Sequence, residues 1–71
     1  MNHTKKIRVV VYQIGKDEWK LCAYFGSSSS SRTMVLECIF NSTKAANKAA
    51  RAIATMMQRA NVVVEEAWDG D

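Results

Sequence analysis

"FNSTKAANKAARAIATMMQRANVVVEE" (residues 40–66) decides how this chain folds, because the hydrophobic period changes twice inside it. Ala46, Ala49, Ala50, Ile53, Met56, Met57 and Ala60 recur three or four residues apart, which places them on one stripe of a helix. Lys44, Lys48, Arg51, Thr55 and Arg59 recur on the opposite side. Ser42 stands just before the stripe, where a side-chain oxygen can accept from a free amide of the first turn. Asn61 stands just after it, and asparagine, like glycine, can end a helix in the left-handed conformation. The three valines that follow favour extended backbone. The stretch therefore predicts a helix over about 43–60 and a strand over about 62–68.

Upstream, "IRVVVYQI" (7–14) and "WKLCAYF" (19–25) are rich in branched and aromatic residues and flank the turn residues "GKDE", the pattern of a β-hairpin. A turn centred on Lys16 and Asp17 pairs Ile14 with Trp19, Tyr12 with Leu21, Val10 with Ala23 and Arg8 with Phe25 on one face. The other face then holds Gln13 with Lys20, Val11 with Cys22 and Val9 with Tyr24. "TMVLECIF" (33–40) reads as a third strand, with Met34, Leu36, Cys38 and Phe40 toward the core and Thr33, Val35, Glu37 and Ile39 away from it. "GSSSSSR" (26–32) is a low-complexity polar loop expected to be flexible, and residues 1–5 and 69–71 are expected to fray. The expectation is one α+β domain spanning 1–71 in the order β-β-β-α-β. A small antiparallel sheet carries the amphipathic helix on one face and leaves the other open.

Phe40, Ser42, Ala46, Ala50 and Ala54, preceded by a hairpin bearing Trp19, resemble the strand-to-helix junction of a group of short bacterial proteins of unassigned function. Trp19, Phe40, Ser42, Ala46, Ala49 and Ala54 are in turn similar to the three-stranded DNA-binding domains of plant ethylene-response factors and integrase arm-binding modules. The resemblance runs from Trp19 to Ala54. What it implies is a three-stranded sheet backed by a helix, and for the second group a sheet that enters the major groove of DNA.

Charge is unevenly distributed. Residues 1–60 hold all ten Lys and Arg against Asp17, Glu18 and Glu37, whereas 61–71 hold Glu65, Glu66, Asp69 and Asp71 and no cation. A basic body favours anionic partners. Cys22 and Cys38 are too few for the disulfide framework of a small secreted domain and read as buried free thiols, so the cytoplasm is the expected compartment. No segment approaches the ~20 apolar residues of a membrane span, and no signal-peptide pattern follows Lys5 and Lys6. His3 is the sole histidine, the glycines form no phosphate loop, and Cys22, Cys38 and His3 do not make a metal set. Glu65 and Glu66, adjacent in a strand, point to opposite faces. The chain thus reads as non-enzymatic, with no cofactor.

Two surfaces follow. The anion- or partner-binding set is Lys44, Lys48, Arg51 and Arg59 on the helix, with Lys20 and Arg32. The sheet-face set is Val9, Val11, Tyr24, Val35 and Ile39, with Trp68 capping that face or the sheet edge. The expected function is a protein-interaction module, such as a small accessory or inhibitory protein of a phage or other mobile element. It would act through the open sheet face, a strand edge or the basic helix, on an unidentified protein or a second copy of itself. The alternative is a nucleic-acid-binding module whose cations contact phosphates.

Overall fold

In a computed structural model that describes residues 6–26 and 32–68, the chain forms strands β1 (Lys6–Gly15), β2 (Glu18–Phe25) and β3 (Thr33–Phe40), helix α1 (Thr43–Arg59) and strand β4 (Val63–Ala67). The expectations for residues 1–5, 27–31 and 69–71 lie outside the described residues. The fold is α+β, in the order expected. The sheet order is β3-β2-β1-β4.

Both ends of α1 are set by nearby side chains and backbone. Ser42 is extended, with φ −153° and ψ 148°, and its Oγ accepts from the Ala45 amide at 3.1 Å. Asn61 sits at φ 63°; its amide donates to the Gln58 carbonyl at 3.0 Å and the Val62 amide to the Met57 carbonyl at 2.9 Å. Those two bonds are the Schellman closure, and Val62 and Met57 pack in the same cluster beneath it.

The helix also makes the sheet mixed rather than wholly antiparallel. β1 pairs with β2, and β2 with β3, in antiparallel fashion, so β3 runs in the direction of β1. A helix that leaves β3 and crosses the sheet returns the chain in that direction again. β4 accordingly pairs with β1 in parallel, Ile7 beside Val64 and Arg8 beside Glu65.

One irregularity corrects the expected hairpin register. Gly15 faces Glu18, as a turn centred on Lys16 and Asp17 requires, but the ladder then skips Ile14 and resumes with Gln13 opposite Trp19. Val11 therefore faces Leu21 and Val9 faces Ala23. A skipped residue shifts the parity of everything beyond it. Val9 and Val11, expected on the open face, lie under α1; Arg8, Val10 and Tyr12, expected to share a face with Leu21, lie on the open side. A second bulge skips Val35 between the pairs Ala23–Leu36 and Tyr24–Met34. It turns Met34, expected in the core, onto the open face, where it is exposed.

The core is Ile7, Val9, Leu21, Ala23, Ala50 and Val62, with Val11, Phe40, Ile53, Met57, Val64 and Trp68 packed around it. Trp68 thus closes the helix side of the sheet, not the open face. Ala46, Ala50 and Ala54 are buried and keep the inner face of α1 thin enough to sit close to the strands.

Candidate functional site

The open face is built in cross-strand rows. One row is Ile39, Lys20 and Tyr12; the next is Glu37, Cys22, Val10 and Ala67; the third is Met34, Tyr24, Arg8 and Glu65. Tyr12, Met34, Ile39 and Val63 are exposed there, and Cys22 is fully buried among its neighbours. Cys38 stands opposite Leu21 on the helix side and is only half-buried. The two thiols are free, on opposite faces of adjacent strands, so the pleat keeps them apart.

Of the six cations proposed for anion binding, two are committed to carboxylates on this face. Lys20 pairs with Glu37, and Arg32 Nη2 reaches Glu65 Oε1 at 3.1 Å while Lys6 Nζ reaches the other oxygen, Oε2, at 3.3 Å. Glu65 is therefore a junction between β1, β4 and the residue that leads into β3. The sequence signal for it was weak, since its partners lie 59 and 33 residues away.

These contacts have a pH consequence. Hydrogen bonding to Glu37 raises the Lys20 ammonium above its ordinary 10.5, and hydrogen bonding with the Cys22 thiol raises the Tyr24 phenol above its ordinary 10.0. Both groups hold their protons longer in the folded chain than in the unfolded one. Their contribution to stability is thus complete below the unfolded values and is lost as pH rises through the folded ones. The melting temperature is expected to be insensitive to these groups near neutrality and to fall above about pH 10. Tyr24→Phe should lessen that fall. An alkaline slope in the variant identical to that of the parent, followed by circular dichroism, would remove Tyr24 from the account.

The other four cations are on α1. Lys44, Lys48 and Arg51 fall at i, i+4 and i+7 and, together with Asn47, line a cleft of about 290 Å³ on one flank of the helix. Asn47 is only 7% exposed, and its Oδ1 has no hydrogen-bond partner. Lys44 and Lys48 have no acidic partner among the described residues, and the first turn contains no acid. Arg59 lies in the last turn, where a cation suits the helix dipole, and is not part of the cleft. The six cations therefore do not form one surface. Asn47 was missed from the sequence; its signal was a poor helix former placed inside an alanine-rich helix, three residues after Lys44 and four before Arg51.

The sheet-face set divides as well. Tyr24 and Ile39 are on the open face, Val35 is the exposed bulge residue of β3, and Val9 and Val11 are beneath the helix. No helix in the described residues is long and apolar enough to cross a membrane. Comparison with protein-family models, curated proteins and solved structures finds no match.

Proposed function

We propose that this chain is a non-enzymatic protein-interaction module whose working surface is the outer edge of β3 with the adjoining open face, and that its partner there is a second copy of the chain. The observation that carries this reading is the character of β3. Among the described residues it pairs with β2 on one side and is an edge of the sheet on the other, over eight residues. Met34, Val35, Leu36 and Ile39 are exposed along it. Edge strands are usually protected by lysine, proline, brevity or a bulge, and the single bulge of β3, at Val35, leaves residues 36–40 in regular register. β3 has no lysine or proline, and its one charge, Glu37, is neutralised by Lys20. An unpaired antiparallel edge is complementary to its own two-fold copy, and the neutralised Glu37 spares that pairing a bare carboxylate on each side.

Sedimentation equilibrium at two concentrations tests the reading. The parent should populate a dimer at the higher one, and Ile39→Lys, a change at an exposed position, should be monomeric with its melting temperature within a few degrees of the parent. A parent that is monomeric at both concentrations would count against self-pairing. The nucleic-acid alternative makes the opposite prediction in the same samples: a monomer that binds duplex DNA with steep salt dependence, lost on reversing Lys48 and Arg51 to glutamate.

A further inference from the structure

The edge of β3 is regular over residues 36–40, where Leu36, Glu37, Cys38, Ile39 and Phe40 face Ala23, Cys22, Leu21, Lys20 and Trp19 without a skip. The bulge at Val35 ends that run on one side, and Asn41 with the capping Ser42 ends it on the other. A two-fold axis through an antiparallel edge sets one residue opposite its own copy, and every other pair follows from that choice. Centring on Glu37 places two carboxylates directly opposite each other and runs Ile39 against the bulged Val35, while centring on Leu36 runs into the bulge at once. Centring on Ile39 or Phe40 runs the strand into Asn41 and Ser42, whose Oγ is already engaged with the Ala45 amide. Centring on Cys38 pairs all five residues within the regular run.

We propose, resting on the self-pairing reading above, that β3 joins its copy about Cys38, and that the two thiols so opposed tie the dimer covalently when a small disulfide oxidises them. Leu36 then faces Phe40 of the second copy on the helix side, an apolar pair repeated on either side of the axis, and Glu37 faces Ile39 of the second copy on the open side. Two four-stranded sheets become one of eight strands with both helices on the same face. Directly opposed residues of an antiparallel pair have Cα atoms about 4.5 or 5.5 Å apart, and both separations lie within the range a disulfide spans. Cys38 is free and half-buried, open to a small reagent, whereas Cys22 is fully buried on the opposite face of β2. The Cys38 thiolate of one copy attacks a low-molecular-weight disulfide such as oxidised glutathione, giving a mixed disulfide and one glutathione thiolate. The thiolate of the second copy then attacks the Cys38 sulfur of that mixed disulfide and releases the other glutathione thiolate. Two protein thiols are oxidised, one small disulfide is reduced to two thiols, and the protons lost from the cysteines end on those thiols. Ile39→Lys still breaks this seam, because its ammonium lands beside Lys20, which already holds Glu37.

The test treats the full chain with oxidised glutathione at the two concentrations used for sedimentation. Where the dimer is populated, non-reducing electrophoresis should show a dimer band and peptide mapping should find Cys38 joined to Cys38. Dithiothreitol should return the band to monomer, while the reduced protein still sediments as a dimer. Cys22→Ala should cross-link as the parent does, and Cys38→Ser should not cross-link although it still dimerises. Register is read separately in chains lacking both native thiols, checked for folding by circular dichroism: Glu37→Cys mixed with Ile39→Cys should cross-link, and neither should do so alone. A dimer in sedimentation that yields only glutathione adducts on Cys38, or a Glu37→Cys or Ile39→Cys chain that cross-links with itself, would overturn this register and leave self-pairing standing. A parent that is monomeric at both concentrations would overturn both.

Discussion

Val9→Asp is expected to abolish cooperative folding, whereas Tyr12→Asp, three residues further along the same strand, leaves the fold in place. Val9 is fully buried between the sheet and α1, within the cluster that includes Leu21, Ala23 and Ala50. A carboxylate there has no cation from the surrounding core residues and must either be desolvated or take up a proton, at a cost of several kcal/mol. At ~0.05–0.15 kcal/mol per residue, a chain of this length has about 4–10 kcal/mol in all. One such substitution therefore removes most of the stability. Tyr12 is 43% exposed on the open face, next to Lys20, so an acid there remains hydrated and near a cation. Far-ultraviolet circular dichroism with a urea titration of both variants distinguishes the outcomes. A folded Val9→Asp with an unfolded Tyr12→Asp would show that Ile14 is not skipped and that β1 has the opposite face toward the helix.

Leu21→Ala should lower the unfolding free energy by about 2–5 kcal/mol, at the upper end of that range. Among the described residues Leu21 is the largest of the fully buried side chains, and of the buried members of its cluster all but Ile7 are valines and alanines. Valine and alanine side chains have little reach with which to fill the space a leucine leaves, and the larger Phe40, Ile53, Met57 and Trp68 are only partly buried around the cluster. For a domain of this size the urea midpoint should fall by on the order of 2 M, with the slope unchanged. Met34→Ala provides the contrast. Because Met34 stands exposed past the Val35 bulge, its truncation should cost no more than about 0.5 kcal/mol. Equal losses at Leu21 and Met34 would mean that β3 carries Met34 into the core after all.

The elements of secondary structure were legible because their signals are local. Ser42 caps a helix through an amide three residues away, Asn61 closes it through its own backbone angle, and the alanine stripe needs only its period. The open face was legible as a surface but not in its membership. Val9 and Tyr12 have similar claims on a strand core by composition, and nothing within a few residues announces that Ile14 will be skipped. The basic set was legible as charge, but not as geometry: which cations are taken by Glu37 and Glu65 depends on strands β1 to β4 being brought side by side. Asn47 could be read as an oddity in its helix, and its burial beside three cations emerges only once α1 is laid on the sheet.

From its residues alone this chain is a β-β-β-α-β unit, with the ends of its helix and the approximate bounds of its strands established by interactions that span no more than about one turn. Assembly settles what those interactions cannot reach. Two skipped residues, Ile14 and Val35, reverse the facing of most of β1 and of Met34, because a strand has a period of two and one extra residue inverts it. The crossover of α1 sets β4 parallel to β1 and so carries Glu65 to Lys6 and Arg32. Burial and pairing are properties of neighbours in space, and here those neighbours lie up to 59 residues apart in the chain.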